Sequence, residues 1–177
     1  INGSMTNNGV LSVSTAFQGT GSLTNGTSAV INIGSATVAI TTLVANTTSN
    51  TVVYNRAGNQ TLKPINYNNL SFSGSGTRNL PTGTTSISGN LVLSGSVSST
   101  AAAGITFGGT LNIGSGTTFT SGNVTHSIAG NLNNNGTFNG SAGTINLTGN
   151  LTNSGTFNRN TGTVVFNGSA PQAILGT

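Results

Sequence analysis

Aspartate and glutamate are absent from this 177-residue chain, as are cysteine and tryptophan. One histidine, His126, and four cations, Arg56, Lys63, Arg78 and Arg159, are the only ionisable side chains near neutral pH. Without carboxylates there is no acid–base pair, no aspartyl nucleophile and no acidic Ca²⁺ or Mg²⁺ site. Without thiols, and with a single imidazole, thiolate catalysis and zinc clusters lack their ligands and no disulfide can staple the fold. The sequence therefore predicts no catalytic residue, no metal site and no cofactor. Four cations over this length cannot supply the dense phosphate contacts of a nucleic-acid binder, so no nucleic-acid partner is expected.

Long apolar runs are missing too. The best, Ala36 to Ala45, is interrupted by Thr and reads as a strand, far from the ~18 apolar residues of a membrane helix. Ile1 opens no signal peptide and Gly176-Thr177 follows no capping segment, so both ends are expected to be cut from something larger or left by processing. Leu, Ile, Val and Phe number 43, which limits any core to thin columns. What fills the chain instead is Thr (31), Gly (27), Asn (27) and Ser (22). Such a composition approaches disorder, but little charge expands the chain and the apolar residues recur regularly.

That recurrence is the strongest signal. Gly130-Asn-Leu132-Asn-Asn-Asn-Gly136-Thr-Phe138-Asn139 repeats as Gly149-Asn-Leu151-Thr-Asn-Ser-Gly155-Thr-Phe157-Asn158, and Gly143-Thr-Ile145-Asn-Leu147 as Gly162-Thr-Val164-Val-Phe166. Upstream, Gly89-Asn-Leu91 and Gly109-Thr-Leu111 carry the same punctuation, placing coil starts at 89, 109, 130, 149 and 168. Gly3-Ser-Met5-Thr-Asn7 recurs as Gly21-Ser-Leu23-Thr-Asn25. Within each unit apolar residues alternate with Thr, Asn or Ser, the period of half-buried strands, and Gly-containing turns able to take positive φ separate three short segments. The fold class predicted is all-β: a single-chain parallel β-helix, right-handed or a close relative, with coils of about 18–21 residues, roughly nine in number. Stacked at about 4.8 Å they would form a rod of roughly 40–45 Å.

A longer echo pairs Val52-Val-Tyr54-Asn55 through Gln60-Thr-Leu62 with Val164-Val-Phe166-Asn167 through Gln172-Ala-Ile174. It divides one continuous solenoid into N-terminal coils (1–50), a super-repeat (51–162) and the start of the next (163–177), and implies a longer parent protein.

The text Thr51-Val-Val-Tyr-Asn, Gln60-Thr-Leu, Tyr67-Asn-Asn-Leu-Ser-Phe72, Gly74-Ser-Gly-Thr77, Leu80 and Gly89-Asn-Leu-Val-Leu93 resembles the repeat arrays of large secreted surface proteins of Bacteroidota, many exported by the type IX system. Autotransporter and filamentous-haemagglutinin adhesins are a more distant likeness. The resemblance implies an extracellular, cell-surface, adhesive or filament-forming role and transfers no catalytic residue. The missing acids depart from the Ca²⁺ sites that many large adhesins use.

Candidate site residues follow from the coil alignment. Thr118, Thr137 and Thr156 precede the aligned Phe119, Phe138 and Phe157, and Thr120, Asn139 and Asn158 follow them. Both columns should face outward as a lattice able to bind ice or a surface polysaccharide. Outward polar residues are equally what any half-buried strand requires. His126 aligns with Ile145 and Val164, so it should point inward as a hydrogen-bonded core residue. Lys63 before Pro64 reads as a solvated cation. Tyr54 and Tyr67 could stack on sugars, whereas the aligned Phe residues read as a buried ladder. Asn134/Asn153 and Asn131/Asn150 are expected to form amide ladders at turns. The expected role is a structural segment of an adhesin stalk or fibre, self-associating end to end or laterally, with surface glycans as alternative partners.

Overall fold

The computed structural model describes residues 1–176. Among them are twenty-two strands and no helix. The longest sheet has nine parallel strands, one per coil: β2 (Val10–Val13), β4 (Val30–Ile33), β6 (Thr51–Tyr54), β7 (Asn69–Phe72), β10 (Leu91–Leu93), β13 (Leu111–Ile113), β16 (Leu132–Asn134), β19 (Leu151–Asn153) and β22 (Ile174–Gly176). A second sheet stacks β8 (Ser75–Thr77), β11 (Ser96–Thr100), β14 (Thr118–Thr120), β17 (Thr137–Asn139) and β20 (Thr156–Asn158). A third stacks β9 (Ser86–Ile87), β12 (Thr106–Phe107), β15 (Thr125–Ile128), β18 (Thr144–Leu147) and β21 (Thr163–Phe166). In the first coils an N-terminal sheet of β1 (Ser4–Asn7), β3 (Phe17–Asn25) and β5 (Val38–Val44) takes the place of the second and third. The chain is a parallel β-solenoid of about nine turns, as the repeat predicted.

Parallel, in-register stacking explains why like residues recur. Leu11, Ile31, Val52, Leu70, Leu91, Leu111, Leu132, Leu151 and Ile174 form one unbroken column of the nine-stranded sheet. Each fully buried aliphatic member contributes about 1.5–3 kcal/mol over leaving it in water. One coil cannot bury its own face, so this stabilisation exists only between neighbours. In the second sheet Phe119, Phe138 and Phe157 are partners in register, with ring centroids 6.2 and 4.6 Å apart.

The glycine of the Gly-Asn-Leu motif has a different purpose from the expected one. Gly89, Gly109, Gly130 and Gly149 do not take positive φ. They bond coil to coil through their backbones, from Gly130 N–H to Gly109 C=O at 3.0 Å for example, and a Cβ on any of the last three would overlap the preceding glycine. Close approach, not turn conformation, selects glycine here. Positive φ belongs to another column, Gly74, Gly95 and Gly116, at the corner leading into the second sheet.

Two further differences concern coil phase. Leu151 pairs with Ile174, 23 residues on, so the last coil begins near Gln172 rather than at 168. The inserted corner is held by Gln172, whose Oε1 accepts from Gly168 N–H while Nε2 donates to Leu147 and Gly149 carbonyls. Gln60 does the same with Arg56 N–H and the carbonyls of Ile33 and Ser35. Yet β6 lies in the nine-stranded sheet and β21 in the third. The long echo therefore marks a shared glutamine corner used at two different phases of the coil; residue 177 of its second copy lies outside the described residues.

Candidate functional site

The six residues singled out from the repeat lie side by side in register. Thr118, Thr137 and Thr156 are Cα partners on successive strands, and so are Thr120, Asn139 and Asn158. The inward turn of the Phe between them sends both columns outward, by the two-residue period of a strand. They are half-buried on β14 and β17 and exposed on β20. Asn158 Nδ2 donates to Asn139 Oδ1 at 3.0 Å, so part of the column bonds to itself. The register carries the Thr column on to Ser98 and Thr77, and the second column to Thr100.

Sequence reasoning passed over comparable rows on the other faces. Thr125, Thr144 and Thr163 are in register on the third sheet, beside Ser127 and Asn146. Asn112, Asn133 and Thr152 form an outward row on the nine-stranded sheet, with Asn133 Nδ2 donating to Asn112 Oδ1 at 2.9 Å. The same offset of 19 to 21 residues that exposed the first pair of columns would have located these.

The asparagine ladders are present in altered form. Asn134 Nδ2 donates to Asn153 Oδ1 at 2.7 Å, but the pair is not at a turn: both continue the inward column of Ile113. Asn131 and Asn150 form no amide pair. Instead each side chain accepts from the next coil, Asn131 Oδ1 from Asn150 N–H and Asn150 Oδ1 from Ala173 N–H, both at 2.8 Å. Asn69 and Asn90 do likewise with Asn90 and Thr110 N–H. A short amide side chain at the corner satisfies a backbone donor that the ladder leaves over.

His126 is buried in register with Ile145, as aligned. Its Nδ1 accepts from Ile105 N–H at 3.1 Å and its Nε2 lies 2.8 Å from Ser121 C=O. Those partners define the neutral Nε2–H tautomer. Burial pushes its pKa below 6.5 against the smaller opposing pull of the two backbone bonds. Both ring nitrogens are engaged, so neither is open to a ligand or a reacting proton.

Two expectations about isolated residues are corrected. Lys63 is half-buried rather than solvated, its Nζ donating to Ile40 C=O at 2.6 Å. Tyr54 and Tyr67 are buried and cannot stack on a sugar. Their hydroxyls lie 3.0 Å apart and close a ring with one residue: Lys63 N–H donates to Tyr54 Oη, and Tyr67 Oη donates to Lys63 C=O. Burial raises both phenol pKa values above 10.

Arg78 was not singled out from the sequence, yet it is fully buried. With no acid in the chain, it donates Nε to Tyr54 C=O at 3.1 Å, Nη1 to Ser75 C=O at 2.7 Å and Nη2 to Arg56 C=O. Burial lowers its pKa from the ordinary arginine value. Carbonyls of two coils thus do the work of a counter-ion and pin the corner where the second sheet begins.

A groove of about 460 Å³ lies at that same place, lined by residues of four coils from Ala36 to Ala102. It follows the break between the N-terminal sheet, which ends with β5, and the second sheet, which begins with β8.

No family model, no curated protein and no solved structure matches the chain.

Proposed function

We propose that this chain is a structural shaft segment of an extracellular β-solenoid, part of a cell-surface adhesin stalk or a self-associating fibre, and performs no chemical step. The observation that carries this reading is the continuous in-register ladder, with uncharged Thr, Asn and Ser rows on its outer faces. Surfaces so poor in charge repel each other weakly, which favours lateral association.

Negative-stain electron microscopy and sedimentation of the purified chain test the association. Assemblies longer or wider than a single molecule are expected. Dispersed single particles at every concentration and salt condition would count against the fibre.

A second reading is favoured by one observation, the register of Thr118/Thr137/Thr156 with Thr120/Asn139/Asn158. Residues two apart along a strand stand roughly 6.6–6.8 Å apart, and strands about 4.8 Å, which makes the face a regular lattice for ice or surface polysaccharide. Thermal hysteresis and glycan binding, each lost on Thr137→Tyr with Thr156→Tyr, would support it.

A further inference from the structure

Regular coils make a smooth rod, so a concavity on its side needs a local cause. Here the cause is the sheet break together with small corner residues. Leu62 and Leu80 are buried at the groove, and Ala36, Pro81 and Ala102 leave room above them. The volume of about 460 Å³ falls within the ~300–1,000 Å³ of small-molecule sites.

Its polar groups are set before any ligand arrives. Asn59 Oδ1 accepts from Thr77 N–H at 2.9 Å, and Asn79 Oδ1 from Thr100 N–H at 3.1 Å. Each bond fixes the amide orientation and leaves the Nδ2 amino group without a protein partner among the described residues. The hydroxyls of Thr37, Thr61 and Thr77 line the same groove and can donate or accept. No charged side chain lines it.

We infer that this groove is a binding site for a neutral saccharide. A neutral ligand suits it best, because the lining offers no charged side chain to pair with a charged one. The ligand must offer many oxygens to fixed amide donors and to hydroxyls, and an apolar face to cover Ala36, Pro81 and Ala102. A sugar ring has both properties. The site is separate from the six residues on β14, β17 and β20, and depends on neither reading of the proposed function.

The test is calorimetric titration of the 177-residue chain with a panel of neutral gluco-, manno-, galacto- and xylo-oligosaccharides up to millimolar concentration. Binding is followed in parallel by side-chain amide NMR shifts. At least one neutral member should bind and shift the Asn59 and Asn79 amides. Asn59→Asp with Asn79→Asp keeps the oxygen that accepts from the backbone and removes the donor. It should weaken binding about tenfold or more with the fold intact by circular dichroism. Thr61→Val with Thr77→Val, which introduces no charge, should weaken it as well, whereas Asn139→Asp should not. The inference is overturned if no neutral saccharide binds, or if only anionic saccharides or extended peptides do. It is equally overturned if both groove variants bind like the parent, or if Asn139→Asp abolishes binding.

Discussion

His126 and Ser121 are joined by a 2.8 Å hydrogen bond from the buried imidazole Nε2–H to a backbone carbonyl, while Nδ1 accepts from Ile105 N–H. This ring must stay neutral in the fold. Its folded pKa lies below the unfolded value of 6.5, so the unfolded chain binds the proton first as pH falls. Stability is fully present above pH 6.5 and declines as pH drops below it toward the folded value. With no Asp or Glu, no other side chain titrates in that window. The melting temperature should therefore fall between pH 7 and 5 in the parent chain and stay flat in His126→Gln. A flat parent curve would refute the assignment.

The alkaline limb should belong to the tyrosines. Tyr54 and Tyr67 are the two tyrosines of the chain, both buried, and both have raised pKa values. Unfolded phenols ionise near 10, before the folded ones, so stability is complete below pH 10 and is lost as pH rises past it. Spectrophotometric titration should show no phenolate until the chain unfolds. Tyr67→Phe strands the Tyr54 hydroxyl proton and should cost about 1–3 kcal/mol in denaturant melts.

Glycine substitutions should separate close approach from mere sequence repetition. A Cβ at Gly149 would meet the Gly130 backbone, whereas one at Gly9 would meet nothing within 4 Å. Gly149→Ala should destabilise by more than about 2 kcal/mol and Gly9→Ala by less than about 0.5 kcal/mol, read from urea midpoints. Equal effects would show that the motif glycine is not a packing requirement.

Proteolysis offers a check on Arg78. Trypsin needs an accessible cation: Arg78 is fully buried, Lys63 precedes Pro64, and Arg56 is followed by Ala57, which bridges to Ser75. Arg159, at a turn where Asn160 has φ 56°, is the open site. The first cleavage of native protein should fall after Arg159, and mass spectrometry of the fragments would reveal any earlier cut. Arg78→Met leaves carbonyls short of a donor and should cost on the order of 3 kcal/mol and admit faster digestion.

How far the chain could be read without coordinates follows from the nature of its contacts. In a parallel in-register stack each residue meets its own counterpart about one repeat away, so repetition of text is repetition of position. That is why Phe119, Phe138 and Phe157, the six Thr and Asn positions beside them, and the inward place of His126 were all legible from the 19-residue offset. The missing acids, too, were complete information in the sequence, and the pH behaviour above rests on them. Tertiary structure alone decided everything that breaks the period. Gln60 and Gln172 carry the same local motif at two coil phases, Arg78 is held by hydrogen bonds to carbonyls up to 24 residues away, and two tyrosines close on the backbone of Lys63. The groove beside Asn59 and Asn79 exists because one sheet ends where another begins. None of these has a repeated counterpart in the neighbouring coil, and the reach of a side chain to a carbonyl in another turn is set by the stacked backbone, not by spacing along the chain.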